Sequence, residues 1–178
     1  MQKMREYKVI YSSRRTIAIT FDKDGALLLR APFGTKRKKL ESIIRDHAAW
    51  IDKHQTRAIQ KATVEKNLTH ESIIALKQEA KKKLIPLTEY YAKRLGISYG
   101  KITVTSAKTR FGSCSSEGNI AYSYRLMLFP TEAQEYVVVH ELCHRIHMNH
   151  SPAFYKMIES ILPDYKERRK ILKHIPNE

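Results

Sequence analysis

Tyr136-Val137-Val138-Val139-His140-Glu141-Leu142-Cys143-His144 is the stretch on which the reading of this 178-residue sequence turns. Four largely apolar residues run into two histidines spaced four apart, with a glutamate directly after the first. Pro130 ends the preceding strand, and Thr131-Glu132-Ala133-Gln134 has capping-box spacing, so a helix is predicted over 131–147. It is apolar on most sides and is expected to be buried. On a helix, residues four apart lie on nearly one face, about 6 Å apart along the axis. His140 and His144 can therefore aim two imidazole nitrogens at one point, and zinc accepts such nitrogens at about 2.0–2.1 Å. Glu141 is turned roughly 100° around the helix, out of that stripe but within reach of a water at the metal. Metal-assisted hydrolysis uses this combination. A carboxylate buried without a partner beside two purely structural histidines would be costly, which weighs against the plainer alternative.

A catalytic zinc usually takes three protein ligands and keeps one position open. His147 and His150 compete for third place. On a straight helix His147 lies about 10 Å beyond His140, too far to share one ion. His150 is followed by Ser151-Pro152, residues that end helices, so the chain can turn there and bring it back. His150 is the expected third ligand, and His147 is expected near the metal, facing substrate, or simply as a helix-end cation. Glu159 and Asp164 remain weaker ligand candidates. Cys143 points away from the metal as a small core residue, and Cys114, with no cysteine paired at zinc spacing, is not counted as a ligand. Arg110, Tyr122, Tyr124 and His147 are candidates for stabilising a developing oxyanion.

Working outward from that helix, three β-prone runs (7–11, 16–20 and 26–30) are separated by Ser12-Ser13-Arg14-Arg15 and Asp22-Lys23-Asp24-Gly25, which predicts an antiparallel N-terminal sheet. Leu40, Ile43, Ile44, His47, Trp50 and Ile51 predict a helix from about 35 to 54, followed by a polar stretch at 62–67. A second stripe, Ile73, Leu76, Ala80, Leu84, Leu87 and Tyr91, contains Pro86, so that helix is expected to be kinked or in two pieces, with Gly96 as its stop. Strands are predicted at 101–105 and 120–128, joined by a Gly/Ser-rich loop at 111–118. The pattern is α+β: an N-terminal antiparallel β-sheet, central helices, and a C-terminal core around the His-Glu helix. The expected division is a β-rich region with one helix at 1–60 and a second domain at 61–178, or one continuous domain, 1–178.

The formal charge of +15 is unevenly spread. Residues 1–60 carry 14 basic and 6 acidic side chains, residues 61–110 carry 11 and 4, and residues 111–178 carry 8 and 8. Such a field attracts nucleic acid, nucleotides or acidic proteins, or serves only as a solubilising surface. Two cysteines and an opening without an apolar run predict a cytoplasmic protein with reduced thiols, without a signal peptide or membrane span.

Several strings together resemble the YgjP-like metallopeptidase family. They are Arg110-Phe111-Gly112-Ser113-Cys114-Ser115, then Arg125-Leu126-Met127-Leu128-Phe129-Pro130, then the 136–144 stretch. Asn149-His150-Ser151 with Phe154, and Leu162-Pro163-Asp164-Tyr165-Lys166-Glu167-Arg168, complete the pattern. Leu29-Arg30-Ala31-Pro32 and Ala49-Trp50-Ile51 extend the resemblance to the front of the chain. The family is related to the SprT-like and WLM zinc proteases, members of which act on DNA-associated proteins. The resemblance implies a zincin-like core over 61–178 with a His-Glu-x-x-His active-site helix, Zn2+ on His140, His144 and His150, and Glu141 as catalytic acid/base. Phe111 stands where the family usually has tryptophan, which keeps an aromatic ring and loses an indole N–H.

Three functions follow as expectations. The first is a zinc-dependent peptidase that holds an extended peptide or protein substrate on an edge strand at 120–128, with Glu141 as general base. The second is a metal-dependent nucleotide phosphohydrolase, with phosphates held by the basic residues 1–110. The third is a nucleic-acid-binding module with a structural zinc, which would need a fourth protein ligand and would have no use for Glu141.

Overall fold

Leu27, Leu28 and Leu29 have to be hidden from water, and they settle the order of the first sheet. The structure, a computed structural model, describes residues 5–173. Strands β1 (Lys8–Ser12), β2 (Ala18–Phe21) and β3 (Leu27–Pro32) pair in the order β1-β3-β2. β3 is central, parallel to β1 and antiparallel to β2. The expected antiparallel sheet is therefore mixed. A sequential meander would have put the half-buried β2 in the middle. Instead the most apolar strand takes the place paired on both edges, and Lys8 and Ile10 stay exposed on the outer strand. The β2–β3 turn forms where the sequence puts it: Asp22 Oδ1 accepts from the N–H groups of Asp24 and Ala26 at 3.0 and 2.9 Å.

Helix α1 (Arg37–Asp46) and helix α2 (Ala48–Asn67) replace the single helix expected at 35–54. His47 breaks the run, with φ −109° and ψ 18°. The break lets Leu40 and Ile44 of α1 and Ile51 of α2 join one core with Leu27, Leu29 and Ala31. The polar stretch at 62–67 is not a gap but the end of α2. Its Ala, Glu and Lys residues favour helix, and their polarity marks a wet face. The chain divides into two compact units after Leu68, beyond the 60/61 boundary that would have cut α2.

In the second unit, helix α3 (His70–Leu95) runs unbroken through Pro86. Pro86 is exposed, and Ala80, Leu84, Thr88, Tyr91 and Ala92 bury one continuous face on both sides of it. Gly96 ends the helix with φ 64°, the left-handed cap glycine favours. Strands β4 (Ile102–Thr105), β5 (Gly112–Cys114) and β6 (Ile120–Ser123) form a second mixed sheet in the order β4-β6-β5. The strand expected at 120–128 stops at Ser123 and continues as a 3-10 turn, Tyr124–Leu128. The Ser123 hydroxyl causes the change: it accepts from the Arg125 N–H at 3.3 Å and donates to the Ala107 carbonyl at 2.8 Å. β6 is central, so the edge strands are β4 and β5, and β5 lies inside what the sequence suggested was a loop.

Helix α4 (Thr131–Cys143) carries the His-Glu segment and packs against α3, β5, α5 (Pro152–Ile161) and α6 (Tyr165–Ile171). This explains why it is apolar on most sides. Pro130, not Thr131, is its N-cap, and no side-chain hydroxyl caps it. Gln134 instead donates its amide to the Phe129 carbonyl at 2.7 Å. Arg168 of α6 bonds both Glu135 of α4 and, at 2.8 Å, Asp164. No helix among the described residues is long and apolar enough to cross a membrane. Leu142 is fully buried on α4 between the two histidines in sequence. Leu142→Ala is expected to lower the unfolding free energy by about 2–5 kcal/mol, read from urea denaturation.

Candidate metal centre

Regular α4 stops at Cys143, and its last turn sets the positions of two imidazoles. After it the chain tightens, with Arg145 N–H bonded to the Leu142 carbonyl at 2.9 Å and Ile146 N–H to Cys143 at 3.1 Å. This tightening ends the helix short of the expected residue 147. It places the His147 carbonyl where it accepts from His144 Nδ1 at 3.0 Å, leaving the Nε2 lone pair of His144 free. Arg145 anchors the turn from outside: its Nε donates to the Ser98 carbonyl at 3.2 Å and its Nη1 to Ser116 at 3.1 Å.

His150 lies between this turn and α5. Ser151 caps α5 by accepting the Phe154 N–H, and Pro152 occupies the first turn. The return brings His150 Nε2 to 3.1 Å from His140 Nε2. The available nitrogens of His140, His144 and His150 all lie within 4.8 Å of one another. Nitrogens sharing one tetrahedral zinc stand about 3.3 Å apart, so the donor set fits such an ion. Glu159 and Asp164 do not join this group: Glu159 faces Lys166, and Asp164 holds Arg168.

One buried ring organises the three imidazoles. Phe154 is fully buried, stacked on His144 at 4.7 Å and edge-on to His140 and His150 at 4.9 and 5.0 Å. Tyr136 Oη lies 3.5 Å from His140 Nδ1, on the side away from His150. Burial, reinforced by His144 and His150, pushes His140 down to about 3, so it is a neutral donor at any working pH. Burial also lowers His144, against the opposing pull of the His147 carbonyl.

Glu141, the residue after His140, lies against Gly112 of β5 and is only 5% exposed. Burial pushes its carboxyl up to about 8, while the Arg110 charge pulls the other way. Its room depends on Gly112: a Cβ there would stand 2.7 Å from Glu141 Cγ and 2.8 Å from Cδ. Arg110 is thus near the glutamate, and His147 contributes through its carbonyl. Tyr124 is buried under the Arg125 guanidinium, and no described contact links it to the histidines. Tyr122 is fully buried, its hydroxyl 3.0 Å from that of Thr88. Phe154, Gly112, Arg145 and Tyr136 were not among the residues singled out by sequence for the site. Two signals were available: Phe154 is four residues past His150, and a glycine within a strand often marks close approach by another group.

A helix presents two imidazoles with a buried glutamate on its flank, and a third imidazole returns from beyond the helix end, so one divalent ion could be shared by the three nitrogens. The family model of the YgjP-like, metallopeptidase domain matches residues 59–175, and the chain belongs to that family. Membership implies a divalent metal ion and a peptide or protein substrate. Among solved structures, the chain is similar to the metallopeptidase zymogen of Pyrococcus abyssi abylysin, at 24% identity and a TM-score of 0.45, over 51% of this chain and 93% of that one. A comparison with curated proteins gives no match.

Replacing Phe154 with alanine is expected to weaken zinc binding by about 10–100-fold in a chelator competition. His150→Ala is expected to lose the metal, whereas His147→Ala keeps it, because the latter retains the backbone carbonyl. Bound zinc can be measured directly in both variants.

Proposed function

We propose that the second unit is a zincin-like hydrolase core that cleaves peptide bonds, with Zn2+ held by His140, His144 and His150. The observation that carries this reading is the convergence of three imidazole nitrogens near a buried glutamate that faces an edge strand. When bound, zinc lowers the pKa of a water and polarises a carbonyl oxygen. Glu141, on the flank of α4, takes the proton from the attacking water on a carboxylate oxygen and delivers it to the departing amine nitrogen. Its burial favours this role, because a carboxylate removed from bulk water is more basic than an exposed one. Arg110 is the charged side chain placed to restrain that basicity and to meet a developing negative charge.

An extended substrate pairs with β5, whose outer edge has no strand partner among the described residues. This replaces the 120–128 segment, since β6 is central and has both edges occupied. Gly112 keeps the edge free of a side chain where Glu141 must fit. A structural zinc would leave the burial of Glu141 without a purpose.

The decisive experiment loads the protein with zinc and presents a peptide library and nucleoside triphosphates in parallel. Peptide cleavage is expected, and Glu141→Gln should slow it about 10²–10⁴-fold while keeping the metal. Gly112→Ala should do likewise by displacing the carboxylate. Hydrolysis of nucleoside triphosphates without peptide cleavage would overturn the peptidase reading in favour of the phosphohydrolase.

A further inference from the structure

The N-terminal unit contains a cavity of about 680 Å³ that takes no part in the metal chemistry. Arg5, Tyr7, Lys8 and Tyr11 line it from the start of the first sheet, and Arg37 lines it from the first turn of α1. Three cations, the Glu6 carboxylate and two phenol rings thus surround one opening, so the cationic excess lies along Lys36 to Lys39 more than in the cavity itself. Each cation is held in place by a carboxylate outside the lining: Arg5 bonds Asp52 at 2.8 Å, Lys8 bonds Asp22 at 2.7 Å, and Arg37 bonds Glu41 at 2.8 Å. The Lys8 and Arg37 side chains remain 67% and 72% exposed despite these pairs. Exposed pairs of this kind are weak and screened by salt, so they orient the charges without committing them.

The same chemistry continues past the cavity mouth. Tyr11 is exposed, and its neighbour Ser12 accepts the Phe33 N–H at 3.2 Å, which seats the 70%-exposed Phe33 at this end of the sheet. Lys36, Arg37, Lys38 and Lys39 follow directly, all exposed. Across residues 1–68 the sequence has sixteen Lys and Arg against seven Asp and Glu. Surface aromatics interleaved with basic side chains suit a chain of phosphates carrying unpaired bases, because bases stack on rings whatever their sequence.

We propose that this cavity and the adjoining strip from Phe33 to Lys39 bind single-stranded nucleic acid. One base enters the cavity against Tyr11, and the backbone phosphates pass over Lys8, Arg37 and the lysines of α1. A free nucleotide would use the cavity alone and leave the charged strip idle. A duplex has no unpaired base to insert, and an acidic protein would have no need of the exposed rings. The inference is independent of the peptidase reading, since no residue of it lies in the second unit.

The test is fluorescence anisotropy on the full chain with a labelled oligothymidylate of about 20 nucleotides at about 50 mM salt. A duplex of equal length and thymidine monophosphate serve as competitors. Binding is expected, with a log–log salt slope of about −2 or steeper for three or more phosphates. The duplex should compete at least about tenfold less well, and the monophosphate should compete weakly. Tyr11→Ala should weaken binding about tenfold, and Tyr11→Phe should preserve it. Lys38→Glu with Lys39→Glu, on an exposed helix face, should weaken binding and flatten the salt slope whatever the tyrosine variants do to folding. Unchanged zinc content and melting temperature would show that the variants are folded. The proposal is overturned by absence of binding at low salt, by equal or tighter duplex binding, by a Tyr11→Ala variant that binds like wild type, or by monophosphate competing as well as the strand.

Discussion

The structure depends on how α4 is buried. A helix packed by α3, α5, α6 and β5 has almost no free side, yet it must carry two imidazoles and a carboxylate, all costly to bury without partners. The conflict is resolved by geometry along the helix. The apolar residues Val137, Val138, Val139 and Leu142 fill the packed sides, and the histidines fall at the C-terminal end where the helix is released into a tight turn. Burial is relieved at that end, so polar groups that the core would reject can meet there. Glu141 is the exception, kept inside at the expense of its acidity, and room for it exists because β5 presents a glycine.

Preorganisation of the three imidazoles comes from the protein's own packing. Phe154 contacts all three rings, the His147 carbonyl selects the tautomer of His144, and Arg145 ties the turn to the segments around Ser98 and Ser116. Such supports matter because three imidazoles on a loose turn would lose conformational freedom on binding an ion, and that loss would weaken affinity. The exposed position of His150 leaves this side of the cluster open to solvent.

The two units divide their chemistry along the chain. The second holds the three clustered histidines and most of the family match, and the first combines a small core with a strongly basic surface. Their core residues belong to separate clusters, Leu27 to Ile51 in one and Ala80 to Tyr165 in the other.

The sequence by itself determined what depends on local spacing. The interval between His140 and His144 is a property of any α-helix, and the Ser151-Pro152 break after His150 announces a turn before any contact is known. The α+β class follows in the same way from periodicity. Tertiary structure decided what depends on residues far apart in the chain. Strand order was one such matter, because a run such as Leu27-Leu28-Leu29 shows that it must be buried without saying which neighbours will cover it. β5 was another: Gly112-Ser113-Cys114 has little strand propensity and is held by its ladder to β6. The break at His47 and the continuity through Pro86 were likewise set by which faces reach a core. The Glu141–Gly112 contact joins positions 29 residues apart, and nothing in local spacing could place a carboxylate against a missing side chain on another strand.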